Sequence, residues 1–271
     1  MRIIVLVDFS LYTRSLIQVA TNWAKLLNAG LVLVHEVPQL VPAMAGDTTR
    51  YQIIEYEKEE AFAKLRDLAK RNIPDHIAVN YEVTEIDLTT FLPKLIPSQM
   101  PTLFMLGLKG TGLIKRVFIG SMFTDIINEL NKITIGVPIK ISQAIPEHLI
   151  VPVNEEYVIN EEKLDQLITY LRPSLHNIEF VSIERSAKKN ILPTDYLQEL
   201  SNNFNGSISA TYRSFKGKKA FEEFKTYAAN NENSFLVLQK GGRSLNDQVY
   251  RKFFINHIVH DGSIPLIVLP G

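Results

Sequence analysis

The residues with the clearest chemical potential form one stretch: Gly107-Leu108-Lys109-Gly110, then nine residues, then Gly120-Ser121. The stretch follows the apolar run Leu103–Leu106 and leads into helical spacing that begins at about Ser121. Glycines let the backbone approach a ligand closely, and a helix start presents N–H groups that its own carbonyls do not satisfy. With the Ser121 hydroxyl and with Lys109, Lys115 and Arg116 in the same loop, this is the equipment of a phosphate-binding loop. A glycine-rich turn satisfying its own backbone has the same composition, so the motif alone leaves both readings open. Two related loops are excluded. Gly107 and Gly112 have the outer spacing of a Walker loop, but Leu113-Ile114 stands where Lys-Ser/Thr is required. Gly110-Thr111-Gly112 begins like a dinucleotide fingerprint, but Lys115 takes the place of its third glycine.

The second candidate is Asp8, which ends the apolar run Ile3–Val7 and precedes Phe9-Ser10. In a doubly wound sheet, ligands sit beyond the carboxyl ends of strands, where the strand order reverses. If the first and fourth strands flank that reversal, Asp8 faces the glycine loop and its carboxylate can accept bonds from ribose hydroxyls or an adenine amine. Alone, an Asp here reads better as part of a helix start.

The elements that must position these residues are legible from the apolar pattern. Ile3–Val7, Leu31–Val34, Leu103–Leu106, Ile150–Val153, Phe235–Leu238 and Ile264–Leu269 are short, unbroken and rich in β-branched residues, as expected of strands buried on both faces of a parallel sheet. Between them, Leu16, Val19, Ala20, Trp23, Leu26 and Leu27 keep helical spacing, with Ser10 placed to cap that helix. Tyr56–Arg71, Ser121–Leu130 and Lys163–Leu171 predict further helices. Alternation of strand and helix makes the class α/β, with right-handed crossovers. The chain also repeats itself: Ile4–Asp8 resembles Ile150–Asn154, 146 residues later, and Leu103–Thr111 resembles Phe235–Arg243, 132 residues later. Two five-stranded units are expected, residues 1–144 and 145–271, with a boundary near Gln143–Pro146.

At this point the chain resembles the universal stress protein family in its tandem form, strongly over residues 1–140 and weakly over 147–271. The family's nucleotide signature is Gly, two residues, Gly, nine residues, then Gly-Ser/Thr, which Gly107, Gly110, Gly120 and Ser121 match. Val7-Asp8-Phe9-Ser10 resembles the element that ends the family's first strand, and Val34-His35-Glu36-Val37 the one that ends its second. The resemblance implies two doubly wound, five-stranded, Rossmann-like domains packed as an intramolecular pseudo-dimer, through the last strands Ile133–Ile139 and Ile264–Leu269. It implies an ATP site, with or without Mg, in the first domain. Asp8 would hold the adenosine, the Leu6–Val7 backbone and Glu36 would border the base, and Gly107, Gly110, Gly120 and Ser121 would cradle the phosphates. Phe123, Ile133 and Glu36 depart from the family's residue preferences.

The second half keeps the pattern and loses the signature. Asn154 replaces Asp, Gln239 and Lys252 replace the outer glycines, and Phe253 replaces Ser, while Gly242 remains. Glu155, Glu156, Glu161 and Glu162 make the corresponding loop acidic, which repels polyphosphate, although Lys240 and Arg243 could attract a smaller anion. No nucleotide is expected there.

Composition bounds the remaining possibilities. The 271 residues carry 29 basic and 29 acidic side chains and no cysteine, which excludes disulfides, thiolate metal sites and cysteine nucleophiles. Residues 1–144 hold 15 basic and 14 acidic side chains, so neither half is a hidden basic module, and neither nucleic acid nor an anionic membrane is an expected partner. No apolar run approaches the roughly 18 residues of a membrane span, and the expected location is the cytoplasm. His257 and His260 share a helical spacing without further metal ligands, His35 reads as a pocket wall, and Asn205-Gly206-Ser207 reads as a turn. Gln39–Arg50 is a candidate mobile loop. No hydrolase elbow or zincin motif is present. The expected function is a stress-response regulator that binds ATP in its first domain with little or no hydrolysis, working with an unknown protein partner and leaving room for a further homodimer. The alternatives are an interaction scaffold with a vestigial site, or a slow ATP hydrolase.

Overall fold

The computed structural model describes residues 1–37, 46–96, 100–108, 121–141, 144–153, 159–184, 194–231, 233–240 and 264–271. The first half runs β1 (Arg2–Leu6), α1 (Thr13–Leu27), β2 (Gly30–Glu36), α2 (Asp47–Asn72), β3 (Val79–Thr84), α3 (Leu88–Phe91), a 3-10 turn (Leu92–Leu95), β4 (Thr102–Gly107), α4 (Ser121–Glu129) and β5 (Thr134–Val137). The second runs β6 (His148–Pro152), α5 (Glu161–Leu171), β7 (Asn177–Glu184), α6 (Thr194–Phe204), β8 (Ser209–Lys216), α7 (Ala220–Asn230), β9 (Ser234–Gln239) and β10 (Leu266–Leu269). The ten strands among the described residues form one sheet, in the order β3-β2-β1-β4-β5-β10-β9-β6-β7-β8.

Pairing is parallel everywhere except at the centre, where β10 meets β5 antiparallel with Ile267 opposite Ile135. The expected pairing of the two last strands is therefore present, and the order reads the same from both ends when the halves are numbered separately. Unbroken apolar runs bury both faces: Ile3, Val5 and Val7 point into one core and Ile4 and Leu6 into the other. The first core is continuous across the junction. Trp23 of α1 is fully buried in it, its ring centroid 6.4 Å from that of Phe235 of β9, and its Nε1–H donates to the Ala144 carbonyl at 3.0 Å. The chain's single tryptophan thus ties α1 to the second half and to the connection between them. A second tie is Lys240, whose Nζ donates to the Asn128 carbonyl at 2.7 Å. A cation in the last turn of α4 also complements that helix's dipole.

Several expected boundaries shift for identifiable reasons. α2 begins at Asp47, nine residues before the predicted start, so residues 47–50 of the supposed loop are helical, while 38–45 lie outside the described residues. Only Ala61, Leu65 and Ala69 of α2 are buried, and its early turns lack an apolar stripe to reveal them. Ion pairs at helical spacing, Lys64–Glu60 and Arg71–Asp67, lie along its exposed surface. Ser10 does not cap α1. The N-cap is Tyr12 without a side-chain bond, and the Ser10 hydroxyl accepts the Tyr12 N–H at 3.3 Å. Glu161 and Glu162 do not line a loop but form the first turn of α5, where carboxylates suit the helix dipole, behind an Asn160 side chain that accepts the Lys163 N–H. Asn205-Gly206-Ser207 is a turn between α6 and β8, with the Asn205 side chain accepting the Ala210 N–H. No helix among the described residues is long and apolar enough to cross a membrane.

Replacing Trp23 with Ala should cost about 3–5 kcal/mol, the range for emptying a buried aromatic site. Urea unfolding followed by circular dichroism checks this, since the substitution removes the chain's one indole. A loss below about 1 kcal/mol would show that the junction does not rely on it.

Candidate functional site

Within the first half the order β3-β2-β1-β4-β5 reverses direction between β1 and β4, so the crevice of this fold opens at their carboxyl ends. The register Leu6↔Leu106 brings Asp8 and Gly107 to that one edge. Asp8 is exposed, and its Oδ1 accepts the Ser10 N–H at 3.0 Å. Oδ2 makes no hydrogen bond among the described residues. The next residue is unusual: Phe9 has φ of 53°, in the left-handed region that a bulky side chain avoids. Such a conformation costs on the order of 1–3 kcal/mol and persists only where its surroundings hold it. Here the His35 ring lies 4.5 Å from the Phe9 ring, and the Lys64 ammonium stands 6.0 Å over it. His35 is itself fixed by an Nδ1–H bond to the Val7 carbonyl at 2.7 Å, so it is the wall of a strained turn.

The remaining described site residues each have a partner within the chain. Leu6 lies in the β1 ladder, and the Val7 main chain is engaged by β2 through Val34 and His35. Glu36 ends β2, where it pairs with Thr84 of β3. Burial, with the nearby Asp87 charge, raises its carboxyl above the ordinary range against the opposing pull of Leu88 and His35. Gly107 approaches Tyr12: a Cβ at position 107 would stand 2.7 Å from Tyr12 Cβ and 3.0 Å from Cγ. The glycine therefore has a packing reason of its own. Ser121 opens α4, although its side chain lies outside what is described. Gly110 and Gly120, with Lys109, Lys115 and Arg116, also lie outside the described residues. So do Asn154, Glu155, Glu156, Gly242, Arg243, Lys252, Phe253, His257 and His260.

Sequence reasoning missed Tyr12 and Phe9. No pattern marks a tyrosine at a helix start as the neighbour of a glycine 95 positions away, and a left-handed φ at Phe has no residue-type signal. In the second half, Gln239 occupies the position matching Gly107. Its side chain accepts the Asn160 N–H at 3.0 Å and donates to the Pro270 carbonyl at 2.6 Å, bridging the carboxyl edge where the first half has a glycine.

This fold is shared with solved universal stress proteins. A universal stress protein from Archaeoglobus fulgidus superposes with a TM-score of 0.70 at 9% identity, over 99% of this chain and 98% of the other. A protein of unknown function from Pseudomonas aeruginosa gives 0.58 at 9% identity, over 99% and 92%. A candidate universal stress protein from the same species gives 0.55 at 10% identity, over 99% and 92%. At these identities the likeness is one of fold. No family model matches the sequence, and no curated protein matches it.

Gly107→Ala should destabilise the protein by about 1–3 kcal/mol through overpacking against Tyr12. A double-mutant cycle with Tyr12→Gly should recover most of that penalty, and additive effects would remove Tyr12 as its cause. A second outcome concerns pH. An acid whose folded pKa is raised binds more protons when folded, so its contribution to stability falls as pH rises through the interval between its ordinary and raised values. Glu36→Gln should flatten that part of the stability–pH profile, read by denaturant midpoints across the acidic range.

Proposed function

We propose that this is a stress-response regulatory protein whose first half, residues 1–144, binds ATP, with or without Mg, and whose second half, residues 145–271, keeps the fold without a nucleotide. The observation that carries the reading is the strained Phe9 turn, which holds an exposed Asp8 carboxylate at the reversal of strand order beside Gly107. Strain of this kind gathers at ligand sites, because a relaxed turn would release the side chain it presents.

The donor set suits the nucleoside end. Asp8 is an acceptor for ribose hydroxyls, and Leu6, Val7 and Glu36 border the adjoining strand ends. Gly107, Gly110, Gly120 and Ser121 would hold the phosphates, the last at the start of α4, where N–H groups and the helix dipole favour an anion. No residue in this assignment is a base for activating water, so ATP acts as a ligand that stabilises one conformation. The Gln239 bridge supports the division of labour, since an amide crosses the second half's carboxyl edge where a phosphate would need an open glycine loop. An interaction scaffold with a vestigial site is the second reading. It is favoured by Tyr12, which already occupies the space next to Gly107.

Calorimetric titration of the full chain with ATP separates these readings. One site per chain, weakened at least about tenfold by Asp8→Ala, is the expected result. Saturation should also raise the melting temperature, because ligand at about 100 times its dissociation constant stabilises by about 2.7 kcal/mol. Two sites per chain would overturn the assignment of the second half. No binding would favour the scaffold, and multiple-turnover hydrolysis lost with Ser121→Ala would make the protein an enzyme.

A further inference from the structure

The second half carries a polar cavity at the edge of the sheet opposite the carboxyl-end crevice. His148, Asn177 and Ser234 begin β6, β7 and β9 side by side in register. Strand alternation places Glu179 of β7 and Thr211 and Arg213 of β8 on that same face. α7 covers the face with Phe221, Phe224 and Ala228, then ends at Asn230 before reaching the strand starts. The space beyond its last turn is a cavity of about 250 Å³, flanked by Tyr227 and Asn231.

The cavity is built around a buried charge. Glu179 is 8% exposed, and both of its oxygens are engaged. Arg213 Nε donates to Oε1 at 3.0 Å, and the Tyr227 hydroxyl donates to Oε2. The guanidinium also lies over the Tyr227 ring, 4.5 Å from its centroid, while half of the Arg213 side chain remains exposed. Removing a carboxylate from water costs several kcal/mol even when it is paired. The fold does not require that expense: the matching position on β2, by the register of each pair, is the buried Val32. A valine serves the core there, so the carboxylate on β7 serves something else. Its effect is to fix one edge of an arginine, while an aromatic ring fixes the plane, which is how a guanidinium is pre-organised for an oxyanion.

The rest of the lining agrees with such a ligand. Glu179 is its one acidic side chain among the described residues, and that charge is already met. The His148 Nδ1–H is spent on Asn177 Oδ1 at 2.7 Å, which turns the ring's other nitrogen away from that bond. Hydroxyls come from Thr211, at an exposed position, and from Ser234. The volume equals about eight waters, room for roughly ten non-hydrogen atoms.

We propose that this cavity binds a small hydroxylated oxyanion, a phosphate monoester or a hydroxy-carboxylate, through Arg213 and the hydroxyls beside it. The test is calorimetric titration of the full chain with glycerol 3-phosphate in one arm and glycerate in the other. At least one arm should show saturable binding of one molecule per chain, and the responding arm identifies the anion. Arg213→Gln should weaken binding at least about tenfold. Because that variant strands Glu179, Thr211→Trp is the parallel test. It alters an exposed position, should leave the melting temperature unchanged, and should abolish binding by filling the mouth. Saturating ATP should leave the titration unaltered, which separates this cavity from the crevice at β1 and β4. Absence of binding in both arms, binding that survives Thr211→Trp in folded protein, or competition by ATP would each overturn the proposal.

Discussion

The rest of the structure depends on the antiparallel pairing of β5 with β10. Each strand is four residues long and fully buried, and neither could stand as a sheet edge without exposing a row of unpaired backbone groups and apolar side chains. By pairing, they turn two five-stranded sheets into one sheet of ten whose edges, among the described residues, are β3 and β8. The junction also sets the helices around it. Trp23 reaches from α1 into the core beneath β9, and Lys240 reaches back from the end of β9 to the last turn of α4. The halves are therefore bound by packing and by a cation at a helix terminus, as well as by the strand ladder, while an indole N–H fixes the connection between them.

The same topology, used twice, is finished differently at its two ends. In the first half the end of the 3-10 turn covers the amino-terminal edge, where Arg2 at the start of β1 donates to the Leu95 carbonyl. Its carboxyl edge carries the strained turn at Phe9 and an exposed carboxylate. In the second half the carboxyl edge is bridged by the Gln239 amide, and the amino-terminal edge is open around Glu179 and Arg213. Sealing opposite edges lets two copies of one fold present chemistry in different places. Near-equal charge in the two halves conceals this, because the difference lies in which charges are buried and which edge they face.

Much of the fold was legible in the amino-acid sequence because burial on both faces leaves an uninterrupted apolar run, and six such runs alternating with amphipathic stretches admit few topologies. The repeat at 146 and 132 residues implied two units, and the end strands had to find each other because short apolar edges cannot face water. What failed was whatever packing did not mark. The early turns of α2 are helical without an apolar stripe, and Glu161 and Glu162 read as a loop because they precede Leu164, the first buried position of α5.

The site divides in the same way. The type and spacing of Gly107, Gly110, Gly120 and Ser121 left open both an anion-binding loop and a glycine-rich turn, and the family resemblance joined Asp8 to them as one expected nucleotide site. Only the tertiary structure decided that Gly107 lies against Tyr12, that Phe9 holds a left-handed turn, and that Gln239 bridges the matching edge. It alone revealed the buried Glu179–Arg213 pair, because strand residues 34 positions apart meet only through register. Local sequence specifies periodicity and backbone preference. Contacts between distant residues arise only when the sheet is assembled, and these contacts determine which polar groups are consumed within the protein and which remain for a ligand.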